Sequence, residues 1–222
     1  MMTIIRCIDI ETTGFEATDR IVEIGSVDVV NGAPPENPME DLIDPQIPIP
    51  AVTSAIHHLV DGDVKGKPTW KDAAPRYAGV DFYCAHNASF ETGFIRIEKP
   101  VICTYKVALS LFPDAPAHNL QTLRYWLQVR IDNPETVMPP HRALPDAYLC
   151  AWLLIHMMPM MSVDDMVIVS SQPAVLVNVN FGKHKGEKWK DLPHDYLRWI
   201  RDKSDMGEDF KFTADKILRG ER

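Results

Sequence analysis

The chain has 222 residues, of which 45% are hydrophobic and 24% are charged, and its formal net charge is −8 at neutral pH. This length allows one substantial hydrophobic core with room for a small second module. Charged residues begin at Arg6, no apolar run leads to a signal-peptide cleavage site, and no stretch approaches the roughly 20 apolar residues of a membrane span. The sequence therefore predicts a cytoplasmic protein that does not enter a membrane.

The hydrophobic pattern predicts a chain that opens with three strands and continues with alternating helices and strands. β-Branched runs and period-two alternation mark the strands, while helical periodicity with capping residues marks the helices. The predicted strands are 4–10, 21–30, 39–43, 80–85 and 101–104. The predicted helices are 50–60, 70–77, 89–97, 119–127 and 143–158, with Pro75 inside the second. This order indicates an α/β domain with a mixed central sheet flanked by helices.

The character of the chain changes after Pro159. A connecting helix at 162–169 and the polar run 170–173 lead to an alternating segment, 175–181. A Gly-Lys-His-Lys-Gly turn at 182–186 and an amphipathic segment, 192–201, follow. The sequence predicts a separate small α+β module here, which divides the chain into 1–160 and 161–222.

The four cysteines are not expected to stabilise the fold through disulfides or structural zinc. Cys7, Cys84, Cys103 and Cys150 lie far apart in apolar segments without CxxC pairing.

The acidic charge is unevenly distributed along the chain. Residues 181–222 carry 11 Lys and Arg against 9 Asp and Glu, so the acidic charge belongs to the first 180 residues. Acidic charge weakens non-specific phosphate binding, but bound divalent cations reverse the local field. A nucleic-acid substrate is therefore not excluded.

The first acidic motif is Asp9-Ile10-Glu11, at the end of the first predicted strand. Residues two apart project to one face of a strand, so both carboxylates can reach the same point. Thr12, Thr13 and Gly14 follow as a turn. Taken alone, the tripeptide is more often a solvated strand end.

The second motif runs from His86 to Glu91 and leads from a strand into a helix. Glu91 then lies in a first helical turn, which the helix dipole favours for any carboxylate. His86 and Asn87 are equally compatible with loop residues that satisfy backbone groups. This motif is therefore not specific by itself.

The third motif is His141 followed five residues later by Asp146, before a long apolar helix. Pro145 is tolerated in a first helical turn, so it places Asp146 at the helix start and His141 on the preceding loop. An aspartate that heads an otherwise buried helix is less easily explained as a surface acid.

Together, the three motifs suit hydrolysis of a phosphodiester. Two-metal catalysis needs carboxylates that hold Mg²⁺ or Mn²⁺ ions about 3.5–4 Å apart. A histidine, with an unperturbed pKa of about 6.5, is suited to accept the proton of the attacking water.

These motifs resemble those of the DEDD exonucleases of the histidine subclass, the DnaQ-like family, over the first 160 or so residues. Asp9 and Glu11 match the first motif, His86 to Glu91 the second, and His141 with Asp146 the third. The tail, with Phe181 to Gly186 and then Tyr196 to Trp199, is similar to the C-terminal module of the exonuclease X group within that family.

The resemblance implies a ribonuclease-H-like fold and a 3′-to-5′ exodeoxyribonuclease with two Mg²⁺ or Mn²⁺ ions, acting in DNA repair or recombination. Asp9 would bridge both ions, Glu11 and Asp146 would hold one, Glu91 would serve the other, and His141 would be the general base. The expected contacts to the terminal nucleotide come from the same motifs and from a family-like Ala-Ile-His segment: Ile10, Thr12, Thr13, His57, His86, Asn87 and Phe90.

One position departs from the family pattern, because the second motif of the family ends in Asp and here it ends in Glu91. The additional methylene moves the carboxylate by roughly 1.5 Å, and Mg²⁺ demands near-octahedral geometry. Three outcomes are compatible with this change: Glu91 binds the ion through a water, the site prefers Mn²⁺, or the enzyme has weak activity. The alternatives to a DNA exonuclease are an exoribonuclease and a binding module in which this substitution has disabled catalysis.

Two further features indicate contacts with a partner. Phe15 follows the first motif, where an exposed aromatic side chain could stack on bases, although a core phenylalanine is equally compatible. Lys183, Lys185, Lys188 and Lys190 lie near Trp189 and Trp199 in the tail. This cluster suits either nucleic acid or a protein partner.

Overall fold

A computed structural model describes residues 2–221 and contains one five-stranded mixed sheet. The strands are β1 (Ile4–Thr12), β2 (Ile21–Val30), β3 (Glu36–Leu42), β4 (Phe82–Ala85) and β5 (Val101–Cys103), in the spatial order β3-β2-β1-β4-β5. The first three strands pair antiparallel, whereas β4 runs parallel to β1 and to β5. The predicted mixed central sheet is confirmed.

Ten α-helices flank or follow the sheet in the described part of the chain. They are α1 (Ala51–His57), α2 (Asp61–Val64), α3 (Trp70–Ala73), α4 (Ser89–Phe94), α5 (Thr104–Leu111), α6 (Leu120–Trp126), α7 (Ala143–Met157), α8 (Val163–Ser171), α9 (His194–Lys203) and α10 (Glu208–Leu218). Short 3-10 turns lie at Ala74–Tyr77, Pro134–Val137, Gly182–His184 and Trp189–Asp191.

The sheet is covered on both faces, which explains the nearly continuous apolar character of β2. Residues 21–29 of this strand are all buried, as expected for a strand between two layers. On one face, Cys7, Val27 and Leu153 belong to the core cluster that includes α7. On the other face, Ile8, Ile10 and Ile24 form a second cluster with Tyr77 and Ile95.

Two predicted elements are corrected, and two helices were missed. The alternating segment 175–181 does not form a strand, because it has no partner strand among residues 2–221. It makes one isolated β-bridge, between Asn178 and Lys188. Helices α5 and α10 were not predicted. The predicted helix 70–77 ends as an α-helix at Ala73, and Pro75 continues it only as a 3-10 turn, since proline has no backbone N–H to donate.

The C-terminal residues have their own apolar cluster, in which Trp189, Leu197 and Ile200 are almost completely buried. This separate cluster is compatible with the predicted division at residue 160, which stays a prediction.

The four cysteines are free and buried. Although far apart in sequence, the Sγ atoms of Cys7, Cys84 and Cys150 lie within 4.8 Å of one another, which is close enough to share a thiophilic ion. Separation along the sequence did not reveal this proximity, because β1, β4 and α7 bring the three thiols together only in the fold. Among residues 2–221, no helix combines the length and apolar character that crossing a membrane requires.

Candidate active site

Three of the predicted metal-binding carboxylates meet at the end of the central strand. Asp9 and Glu11 project from one face of β1, and Asp146 lies in the first turn of α7. One carboxylate oxygen from each lies within 4.8 Å of the other two. Divalent cations such as Mg²⁺ prefer such oxygen ligands. The arrangement can therefore hold a divalent cation.

A glycine on β2 permits this close approach of α7 to the sheet. Gly25 is the direct partner of Asp9 in the β1–β2 ladder. A Cβ atom at Gly25 would overlap the backbone of Ala143 and Leu144, at the start of α7. Only glycine leaves room for this helix end, so Gly25 sets the distance between Asp146 and the carboxylates of β1.

Burial and mutual repulsion make the carboxylate cluster electrostatically unfavourable without a cation. Burial, followed by the charges of Glu91, Asp146 and Glu11, raises the pKa of Asp9 well above its ordinary value. Burial and the charges of Asp146 and Glu23 raise the pKa of Glu11 to about 8. The pKa of Asp146 is also raised, first by burial. A divalent cation would relieve this repulsion.

Glu91 lies close to this cluster, because its charge acts on Asp9. It belongs to the first turn of α4 and is only 2% exposed. Its Oε2 atom has no hydrogen-bond partner among the described residues, and burial raises its pKa well above the ordinary value. A buried carboxylate oxygen without a partner is costly, so a cation at this position fits the residues present.

His141 lies on an exposed loop directly before α7, as predicted. Its backbone is in the left-handed region, with φ of 60°, and its N–H donates to Asp146 Oδ2 at 2.8 Å. The backbone of the histidine loop and a carboxylate of the acidic cluster are thereby tied together.

Sequence reasoning missed the ion pair that anchors this loop. Glu23, on β2, is completely buried and accepts hydrogen bonds from the Arg142 guanidinium and from the backbone N–H of Ala143, the latter at 3.0 Å. The signal was present in the sequence, because Glu23 is a charged residue inside an otherwise apolar strand. Its partner Arg142 directly follows His141.

In the second motif, the His86 side chain already contacts other parts of the protein. His86 Nδ1 lies 2.9 Å from the Thr104 hydroxyl and Nε2 lies 2.8 Å from the His118 carbonyl oxygen. Burial lowers the pKa of His86 to about 4. Both ring nitrogens are therefore engaged, so His86 acts as a support, whereas Asn87 is exposed with φ of 66°.

The turn after β1 offers fewer free groups than expected. The backbone N–H of Thr13 already donates to the Arg20 carbonyl at 2.9 Å, so this amide is not free to donate to a nucleotide. The Thr12 hydroxyl donates to the carbonyl of Gly14 at 2.6 Å. The side chain of Ile10 is buried in the core, so only its backbone could meet a ligand.

Two aromatic side chains flank this turn. Phe15 is 77% exposed, which excludes the core position that the sequence left open. Its ring centroid lies 5.8 Å from that of Phe90. The pair forms an accessible aromatic surface near the acidic cluster.

His57 is almost completely buried, and its Nδ1 accepts from the Leu59 N–H at 3.1 Å. Burial lowers its pKa, and the charge of Glu23 opposes that shift. His57 therefore lies near Glu23 and is shielded from solvent, rather than on an open surface.

The mixed sheet, the helix across it and the acidic cluster at the end of its central strand define a ribonuclease-H-like nuclease fold. The family model described as an exonuclease (RNase_T) matches residues 7–154. The chain belongs to this family of exonucleases, within the DEDD superfamily.

Individual relatives agree with this assignment. The chain is 35% identical to exodeoxyribonuclease 10 of Escherichia coli (strain K12), over 96% of this chain and 98% of the relative. It is 31% identical to the PolC-type DNA polymerase III of Clostridium perfringens over 66% of this chain, which is 10% of that polymerase. A solved structure of exonuclease X in complex with 5′ overhanging duplex DNA superimposes with a TM-score of 0.69 and 36% identity, covering 75% of this chain and 99% of the other.

Proposed function

We propose that this protein is a metal-dependent 3′-to-5′ exodeoxyribonuclease that releases mononucleotides and acts in DNA repair or recombination. The observation that carries the proposal is the convergence of Asp9, Glu11 and Asp146 within 4.8 Å. The choice of DNA rests on relatives that are described as an exodeoxyribonuclease and as an exonuclease in complex with DNA.

Two Mg²⁺ or Mn²⁺ ions fit the chemistry of the donor set. Asp9 would contact both ions, Glu11 and Asp146 would hold one, and Glu91, with its unpartnered Oε2, would serve the other. When bound, such ions activate a water and stabilise the leaving oxygen in phosphodiester hydrolysis.

His141 supplies the general base in this proposal. It is exposed and tethered to Asp146, so its imidazole can accept a proton from the attacking water. The water oxygen bonds to phosphorus while the bond to the 3′ oxygen of the preceding nucleotide breaks. A 5′-mononucleotide leaves, and the shortened strand keeps a 3′ hydroxyl. Phe15 and Phe90 stack against terminal bases.

The burial of Glu91 favours one second candidate. Glu91 is not part of the group whose ligand atoms lie within 4.8 Å among the described residues. If it does not reach a cation, the chain would bind 3′ ends and turn them over slowly. We therefore expect Glu91→Asp to raise the rate in Mg²⁺ relative to the rate in Mn²⁺ by about tenfold. This factor corresponds to about 1.4 kcal/mol of activation free energy.

The test is digestion of 3′-labelled and 5′-labelled single-stranded DNA and RNA in Mg²⁺ and in Mn²⁺, with Asp9→Ala as the inactive control. The proposal predicts immediate release of the 3′ label as a mononucleotide and progressive shortening of the 5′-labelled strand. Faster digestion of RNA would assign an exoribonuclease instead. Binding of both strands without digestion in either metal would instead assign the binding module in which Glu91 has disabled catalysis.

A further inference from the structure

A cleft of about 540 Å³ separates α5 and α8 of the sheet layer from the C-terminal residues. Leu109 and Val169 line one side, and Val175 and Ile217 line the other. This volume lies within the roughly 300–1,000 Å³ of ordinary ligand sites. The walls are aliphatic, so any specificity must come from the charged groups at the rim.

Those charged groups are mainly lysines. Lys106, Lys188, Lys190 and Lys216 line the cleft, together with Asp114 and Glu221. The cleft therefore has a net positive charge, although the whole chain has a formal net charge of −8. This local reversal of sign favours an anionic ligand.

The individual contacts leave much of this positive charge uncompensated. Lys188 pairs with Asp114 at 2.6 Å, and Lys216 lies 4.0 Å from Glu221. Lys106 donates to the carbonyl oxygens of Ser170 and Gln172, which carry no net charge.

Lys190 is exposed and has no carboxylate within 4.0 Å among residues 2–221. The four ammonium groups of the cleft therefore outnumber its two carboxylates, and Lys190 in particular is available to a phosphate group.

The position of the cleft relates it to the candidate active site. Thr104, at the first position of α5, contacts His86 of the second motif at 2.9 Å. Lys106 follows two residues later on the same helix, about 3 Å further along its axis, and projects from the opposite side of the helix. The cleft therefore begins at the N-terminal end of α5, at the β5 edge of the sheet, across this helix from the residue that contacts the second motif.

We propose that this lysine cleft binds the sugar-phosphate backbone of the substrate strand, a few nucleotides from the 3′ end held at the acidic cluster. The inference rests on the proposed function and assigns a role to the C-terminal residues. Lysines contact the phosphates, and the aliphatic walls contact sugars. Such contacts are independent of base sequence and depend on salt.

The experiment compares two double variants that remove equal charge. Lys190→Gln with Lys216→Gln alters the cleft, and Lys67→Gln with Lys203→Gln alters exposed lysines outside it. Both are made in an Asp9→Asn background in EDTA, so that binding is measured without turnover. Fluorescence anisotropy then gives the Kd for single-stranded DNA of about 20 nucleotides and of about 4 nucleotides across a salt series.

The cleft variant should bind the long strand about tenfold more weakly, and the slope of log K against log salt should fall by about 1.4, or 0.7 per lost phosphate contact. The short strand, which cannot span both sites, should bind all variants alike. Equal slopes for the two double variants would overturn the inference, as would an equal loss for both strand lengths.

Two further measurements keep the outcomes separable. Circular dichroism melting checks that each double variant is folded, and Lys190→Gln alone replaces the pair if the double variant melts early. Digestion by the parent chain is measured separately. If the parent digests no nucleic acid, the proposed function fails while the binding comparison can still be read. If the parent digests DNA and the slopes agree, the cleft inference alone fails.

Discussion

At the scale of single residues, the acidic cluster is favourable for cation binding and unfavourable for stability. Asp9 is surrounded by three other carboxylates that raise its pKa in the folded chain. A carboxyl group whose pKa is higher in the folded than in the unfolded state stabilises the fold below its unfolded pKa. That contribution is lost as the pH rises through its folded pKa.

We therefore expect Asp9→Asn to abolish digestion and yet stabilise the protein by roughly 1 to 3 kcal/mol in EDTA at about pH 8, because one repelling charge is removed. The difference in Tm from the parent should shrink toward about pH 5, because Glu11, whose pKa is about 8, is protonated there and no longer repels Asp9. Thermal melts at both pH values check this. Asp205→Asn, at an exposed position, should leave the Tm unchanged. A lower Tm for Asp9→Asn in EDTA at the higher pH would contradict the account.

At the scale of elements, the site depends on how closely α7 approaches β2. A Cβ atom at Gly25 would overlap the backbone of α7, and neither element has a flexible side chain there that could move aside. We expect Gly25→Ala to destabilise the chain by several kcal/mol, at the upper end of the usual range of about 0.5–3 kcal/mol for single mutations or above it. Denaturant unfolding measures this loss.

The control is Gly93→Ala, in helix α4, where an added Cβ meets no atom within 4 Å. Alanine is a better helix former, so this variant should be neutral or slightly more stable. Equal stability of the Gly25 and Gly93 variants would show that α7 can shift away without cost.

The ion pair of Glu23 and Arg142 joins the same two elements and anchors the loop that carries His141. We expect Glu23→Gln to cost about 1.5–3 kcal/mol of stability, as for other charged hydrogen bonds. It should also slow digestion by the folded protein, because the His141 loop loses its anchor. Rates are measured at saturating substrate, under conditions where every variant is folded.

Asp28→Asn provides the matched control, since Asp28, also on β2, forms a buried ion pair with Arg6 at 2.7 Å. It should lose comparable stability without a change in rate. Equal effects of both substitutions on the rate would mean that the Glu23 pair is merely structural.

At the scale of the whole molecule, the C-terminal cluster is distinct from the clusters on the two faces of the sheet. Trp189 lies at its centre and is 1% exposed, so Trp189→Ala should cost about 3–5 kcal/mol within that cluster. We expect limited proteolysis to cut this variant after residue 171 while the sheet layer stays protected. Simultaneous digestion of both parts would show that they unfold as one unit.

The sequence by itself determined the succession of strands along the chain, the mixed sheet and the residues that form each acidic motif. These features depend on local periodicity and on spacing along the chain. β2 matched at both ends, and the helix at Ala143 began where it was expected. Local pattern could not reveal that the alternating segment 175–181 lacks a partner strand, since pairing is a property of two segments.

Only the tertiary structure decided what surrounds the site. It showed that Phe15 is exposed, that His86 and the Thr13 amide are already engaged, and that Glu23 supports the histidine loop. It also joined lysines from α5 and the C-terminal residues around one cleft. These features depend on contacts between residues far apart in sequence, and burial and hydrogen-bond partners exist only once the chain has folded.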